Sequence, residues 1–314
     1  MHTRFAGAVT SLILLAAAAD TPAEPIAPLP EPPAAVSFRV DLGARLFHDP
    51  LLSADGTVSC ASCHDLATGG DDGRARSVGI NGMVGGINAP TVIGTGLDIA
   101  WSWDGRAPTL DGQINGPLQS PNVMGAVWGD VIARIRSHPE YPALFASAYP
   151  ERGIVPATVR DAIATFERSL IGRDNRFDRW LAGDTEALDE QERFGYDLFK
   201  YYGCSSCHQG RNVGGNLYQR LGLVNEYFAQ RAEPITRMDW GRYNVTGAEE
   251  DRHVFKVPSL RMAAHTAPYL HDGSAATLRD AVDVMFRFQI GRRAPDEHKD
   301  AIVAFIKTLS PERL

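Results

Sequence analysis

Apolar residues recur along much of the chain at helical rather than strand spacing. Val159, Ile163, Phe166 and Leu170 fall four, three and four residues apart, which places them on one face of a helix. Ile302, Phe305, Ile306 and Leu309 repeat such a face near the C-terminus, and Leu278 to Phe286 (LRDAVDVMF) reads as a further helical stretch. Asp189 with Glu192 three residues on is a helix start, and the helix it opens runs into Tyr201. The segments Gly69 to Gly96 and Gly210 to Pro258 are glycine-rich and aperiodic, so they read as loops. Few strands are expected. The pattern predicts a mainly α protein with long loops.

Two N-terminal segments depart from this pattern. Val9 to Ala19 is apolar apart from Thr10 and Ser11, follows a single Arg4, and ends in small residues before Asp20. That layout predicts a secretory signal over residues 1–19, with an uncleaved N-terminal anchor as the alternative. The run is too short to span a bilayer, and no later segment has the roughly eighteen apolar residues a spanning helix needs. A periplasmic protein with no membrane span is therefore expected. Residues 20–35 are rich in proline and lack apolar periodicity, which predicts an extended, semi-rigid linker outside the core. What remains suits two domains, at 36–180 and 181–314. Hydrophobic residues make up 44% and charged residues 22% of the 314, an ordinary globular balance. The net charge of −7 leaves no basic footprint for nucleic acid.

The four cysteines carry the chemistry. All fall in two copies of one pattern, Cys60-Ala-Ser-Cys63-His64 and Cys204-Ser-Ser-Cys207-His208. C-x-x-C-H is the attachment signature of a c-type haem. Two thiols three residues apart reach the two vinyl groups of one porphyrin, and the next histidine lies under the ring as the proximal iron ligand. A zinc site would need the four thiols to converge and leaves both histidines unexplained. Two covalent haems are expected, held by Cys60 and Cys63 with His64, and by Cys204 and Cys207 with His208. Leu46-Phe47 and Gly69-Gly70 flank the first motif as Leu198-Phe199 and Gly214-Gly215 flank the second, the mark of a duplicated unit. From spacing alone, Met285 is either a sixth ligand or a core residue. No histidine between His64 and His138 offers itself to the first iron, so an open face for peroxide or oxygen is expected there.

Together with Asn88-Ala-Pro-Thr91, Trp103-Asp-Gly-Arg106 and Thr266-Ala-Pro-Tyr-Leu-His-Asp-Gly273, the two motifs resemble the bacterial di-haem cytochrome c peroxidase and MauG superfamily. The resemblance runs from about Leu42 to Ser310. It implies two cytochrome-c-like domains with one haem each, peroxide binding at the first and electron transfer at the second. It implies a calcium ion between them, held by Asn88 and the backbone carbonyls of Thr266 and Pro268; oxygen ligands suit that cation. It also implies Trp103 as an inter-haem stepping stone and Met285 as the axial ligand of the second haem, where MauG has a tyrosine. Gln113 matches the distal glutamine. Tyr202 stands two residues before Cys204, where MauG has a tryptophan that passes oxidising equivalents to a partner.

Two departures matter. The peroxidases' distal histidine, sixteen residues after the first proximal one, falls on Ile80, so that haem should stay uncapped, as in MauG. The distal glutamate falls on Val123. A general acid–base contributes roughly 10²–10⁴-fold, so valine predicts slow peroxide turnover. His271 is read as structural or in contact with a haem propionate; His48, His138, His253, His265 and His298 are read as structural or surface residues.

Three functions compete. In a MauG-like enzyme, peroxide reacts at the first haem and an aromatic residue of a partner protein is oxidised through the second. That branch includes maturases of methylamine dehydrogenase and enzymes of methanobactin biosynthesis. A cytochrome c peroxidase would draw electrons from a small cytochrome or cupredoxin. A non-enzymatic di-haem electron carrier would have Met83 on the first iron.

Overall fold

A computed structural model describes residues 24–34 and 37–312. The signal expected at 1–19 and the start of the linker lie outside them. The fold is mainly helical. Its only paired strands among the described residues are Tyr218–Arg220 and Val254–Lys256, antiparallel with Gln219 opposite Phe255. None of the described helices is long and apolar enough to cross a membrane.

The helical readings hold. Val159, Ile163 and Phe166 are buried on the Pro156–Ser169 helix, and Ile302, Phe305 and Ile306 on the Asp296–Lys307 helix. Asp189 caps Glu190–Tyr201 by accepting from the Glu192 amide, and the Glu192 side chain accepts in return from the Asp189 amide, satisfying two otherwise orphaned donors.

Each half of the chain is organised by one crossing of two helices. In the first, Ser37–His48 packs on Pro156–Ser169; in the second, Glu190–Tyr201 packs on Asp296–Lys307. Both crossings close on a glycine. A Cβ on Gly43 would land on the Ala162 carbonyl, and one on Gly195 on the Ala301 carbonyl. Four residues later on each helix, Phe47 and Phe199 enter the core. Two apolar clusters result. One is built from residues between Leu42 and Phe166, the other from Phe177 to Leu309 with Ile26 added. Phe177 and Trp180, expected in the first half, pack with the second.

Ile26 corrects the reading of the proline-rich stretch. Residues 24–34 form no helix or strand, but Ile26 is 1% exposed within the second cluster. Proline removes backbone donors, not acceptors. The Pro25 carbonyl accepts from the Gly210 amide at 2.8 Å and the Ala27 carbonyl from buried Arg261 at 3.1 Å. Arg261 in turn pairs with Asp178, which also takes the Leu29 amide.

Candidate functional site

Both C-x-x-C-H motifs form one tight turn. The His64 amide donates to the Cys60 carbonyl (3.0 Å) and the His208 amide to the Cys204 carbonyl (2.9 Å), which brings two thiols and an imidazole onto a short arc. Each imidazole is then oriented by a backbone carbonyl: His64 Nδ1 donates to Gly70 (3.1 Å) and His208 Nδ1 to Val213 (3.3 Å). This tautomer leaves Nε2 with its lone pair, the arrangement of a metal-bound histidine. Burial lowers the His64 pKa and pulls His208 down to about 4, so both rings are neutral. Burial also pushes the Cys60 and Cys204 thiols up to about 12. Thiols held protonated are poor exchange nucleophiles, unlike those of a redox C-x-x-C.

The second motif faces a cavity of ≈ 580 Å³. Cys204, Cys207 and His208 line it together with Met285, as do Trp103 and Tyr202. Met285 sits where the Leu278–Val284 helix, capped by Thr277, passes into a π-helical turn over Met285–Ile290. Such turns are frequent at functional sites. Lys256 and Asp98 form a buried ion pair in the same wall.

The first motif is set in the first cluster, where Ile80 and Val123 meet: the Ile80 amide donates to the Val123 carbonyl at 2.9 Å. Ile80 is 6% exposed and packs over Gly125. Gln113 is half-buried at the end of the Leu110–Gln113 helix. Met83 is 45% exposed, unlike the buried Ile80 three residues before it.

A repeat that sequence reading missed relates the two sites. Trp101-Ser-Trp-Asp-Gly-Arg-Ala107 and Tyr269-Leu-His-Asp-Gly-Ser-Ala275 form the same bridged loop, Trp101 with Ala107 and Tyr269 with Ala275. Ser102 and Leu270 both have positive φ, as do Gly105 and Gly273. Thr109 and Thr277 then cap the following helices. In this register Trp103 matches His271, and Met285 matches Pro117. Proline carries no side-chain donor atom for iron. The signal was the spacing of two D-G-x-A runs ahead of a Thr-Leu pair.

Between the halves, the Trp103 indole N–H donates to the Asn88 carbonyl (3.0 Å), and the Asn88 amide donates to the His271 carbonyl (2.9 Å). The Asn88 side chain is buried and its amide lies 3.4 Å from the Pro268 carbonyl, with Thr266 in the same cavity wall. The side-chain nitrogen also donates to the Arg74 carbonyl (2.9 Å), so of this group the carbonyls and the Asn88 Oδ1, not Nδ2, are the oxygens of the kind a hard cation takes. Asp239, His271 and Asp272 also converge. Arg231 fills that cluster instead, donating to Asp239 (2.8 and 2.7 Å) and to Asp272 (2.8 Å). Burial opposes ionisation of Asp239, but hydrogen bonds from His271, Arg231 and Thr236 outweigh it and hold the carboxyl well below the usual range.

Other histidines have structural partners: His253 stacks on Phe228, and His265 Nε2 contacts the Pro311 carbonyl. His298, read as structural or surface, instead meets the Tyr202 hydroxyl.

The sequence model of the di-haem cytochrome c peroxidase family matches residues 37–186. The chain is 45% identical to cytochrome c peroxidase Ccp of Escherichia coli over 91% of its own length, spanning 61% of that longer protein. It is 41% identical to cytochrome c551 peroxidase of Nitrosomonas europaea, covering 92% of this chain and 85% of that one. The crystal structure of a MauG-like protein associated with microbial copper homeostasis superposes with a TM-score of 0.78 at 31% identity, covering 93% of this chain and 95% of that one.

Proposed function

Since the chain belongs to the di-haem cytochrome c peroxidase family, we propose that it is a periplasmic oxidoreductase that reacts with hydrogen peroxide at the haem of its first half and draws electrons from a partner protein through the second. Cys60 and Cys63 would hold one haem c and Cys204 and Cys207 the other, with His64 and His208 as proximal ligands. Haem iron supplies the redox chemistry when bound. The protein orients the imidazoles through Gly70 and Val213, and Met285, in the wall of the His208 cavity, would supply the sixth ligand of the second haem.

The asymmetry between the halves carries this reading. Met285 faces the His208 cavity, while the matching residue of the first half is Pro117 and the capping position is a packed isoleucine. With haem bound, Met285 would ligate the second iron, and no side chain of this region would cap the first. Gln113 would orient a bound oxidant there, Trp103 would relay electrons, and Asn88, Thr266 and Pro268 would hold a calcium ion at the junction.

With Val123 in place of an acid–base carboxylate, few and selective turnovers fit better than bulk peroxide removal. The favoured electron source is therefore an aromatic side chain of a partner protein, as in MauG-like enzymes. Met285 and the 41–45% identity to cytochrome c peroxidases, against 31% to the MauG-like structure, favour a second reading: steady turnover fed by a small cytochrome or cupredoxin.

Mixing peroxide with the fully oxidised holoprotein separates these. A rapid optical change that persists without added reductant is expected. A change seen only after prior reduction would overturn the open first site. Fast steady-state turnover with a reduced small cytochrome or cupredoxin would favour the second reading.

A further inference from the structure

At the outer wall of the second cavity, Tyr202 is 9% exposed and lines the space with Cys204 and Met285. Its hydroxyl lies 2.8 Å from Nδ1 of His298, on the Asp296–Lys307 helix. The imidazole is also wedged edge-on against Phe194. Tyr201 packs edge-on to Tyr202, with ring centroids 5.1 Å apart, and is 67% exposed. The Arg292 guanidinium sits over both rings, 5.2 Å from Tyr201 and 5.1 Å from Tyr202. The cavity is thus joined to the surface by two contiguous phenols, the inner one hydrogen-bonded to a base.

Removing one electron from a phenol makes its O–H strongly acidic, so the oxidised side chain persists only if the proton has somewhere to go. A guanidinium over the ring makes a positively charged phenol still less favourable, because it is held there by the ring's negative face. In this wall the group placed to accept the proton is His298.

The resemblance already implies a relay residue at the position of Tyr202; we propose that His298 is its proton acceptor, so that the two form a proton-coupled redox pair between the second haem site and the docked electron source. The proposal rests on the peroxide reading above, which supplies the oxidising equivalent. In the outward step Tyr202 gives one electron to the haem side, its O–H bond breaks, and the proton crosses to His298 Nδ1. The products are a neutral tyrosyl radical and an imidazolium. In the return step one electron arrives from the partner through Tyr201, and the proton goes back to the phenol oxygen. The cycle moves one electron and no net proton. Tyr202 is the redox residue; His298 is a positioning residue that acts through it.

The test oxidises the holoprotein without peroxide, using photogenerated trivalent ruthenium tris-bipyridine, and reads tyrosyl radicals by high-field EPR. A Tyr201→Phe background removes the exposed competitor. A hydrogen-bonded radical is expected, and Tyr202→Phe should abolish it. His298→Gln retains a hydrogen-bonding side chain but no base, and should slow radical formation about 10²-fold, the low end of general-base contributions. Formation at the unchanged rate in His298→Gln, or a radical that survives Tyr202→Phe, would overturn the pair. If photo-oxidation behaves as described while peroxide leaves the resting protein unchanged, the peroxide reading fails and the pair stands.

Discussion

Glu167 shows how burial sets the chemistry of a single residue. It is 5% exposed on the Pro156–Ser169 helix, and one carboxyl oxygen has no hydrogen-bond partner. Burial pushes its pKa from 4.5 up to about 8, against a smaller opposing pull from Arg168. A carboxyl whose folded pKa exceeds its unfolded value holds more protons folded than unfolded between the two. Stability therefore falls as pH rises through that window, by about 1.4 kcal/mol per pH unit. Glu167→Gln should unfold at the wild-type denaturant concentration below pH 4.5 and at a clearly higher one above pH 8. Equal shifts at both ends would mean that the carboxyl is partnered in solution. At the site itself, the residues of the two motifs were legible because their chemistry is local. The role of His298 was not, since nothing near position 298 hints at a phenol 96 residues away.

At the scale of elements, two helix crossings carry the fold, and each depends on a glycine. Replacing glycine by alanine inside a helix ordinarily gains about 1 kcal/mol in propensity. At Gly195 the added methyl would meet the Ala301 carbonyl, a backbone group that can yield only by moving the whole Asp296–Lys307 helix. Overpacking of this kind costs roughly 1–3 kcal/mol or more. Gly195→Ala should thus be net destabilising, by up to about 2 kcal/mol in denaturant unfolding; a stabilised variant would show that the helices stand further apart. The amphipathic faces of these helices were readable from spacing. The glycine contacts were not, because a helical glycine looks the same in sequence whether it faces solvent or a neighbouring backbone. Met285 lies between these cases. Its helix was visible in the pattern, but the π-helical turn that begins at it was not.

At the scale of the whole molecule, the junction between the halves is tied through Asn88: its carbonyl takes the Trp103 indole, its amide bonds to the His271 carbonyl, and its side chain approaches Pro268. A calcium ion held there by Asn88 and the Thr266 and Pro268 carbonyls would bind the folded state alone. At about 100-fold excess over its dissociation constant it would add about 2.7 kcal/mol. Chelation should lower the unfolding temperature of the native protein and slow electron transfer between the haems, and Asn88→Ala should make both insensitive to calcium. An unfolding temperature indifferent to chelator would exclude the ion. The proline-rich segment acts at this scale too. It docks through Ile26 and through carbonyls that accept from Gly210 and Arg261. Composition alone marked it as a semi-rigid linker outside the core, since a proline-rich chain reads the same whether docked or not.

The C-x-x-C-H turns, the helix caps and the apolar faces were decided by residues within a few positions of one another, so the chain alone was enough to place them. Which histidine meets Tyr202, which carbonyl each helix rests against, and where the proline-rich segment docks depend on groups brought together from far apart. Those pairings are selected by packing and by the need to satisfy buried polar atoms, and only the folded arrangement decides them.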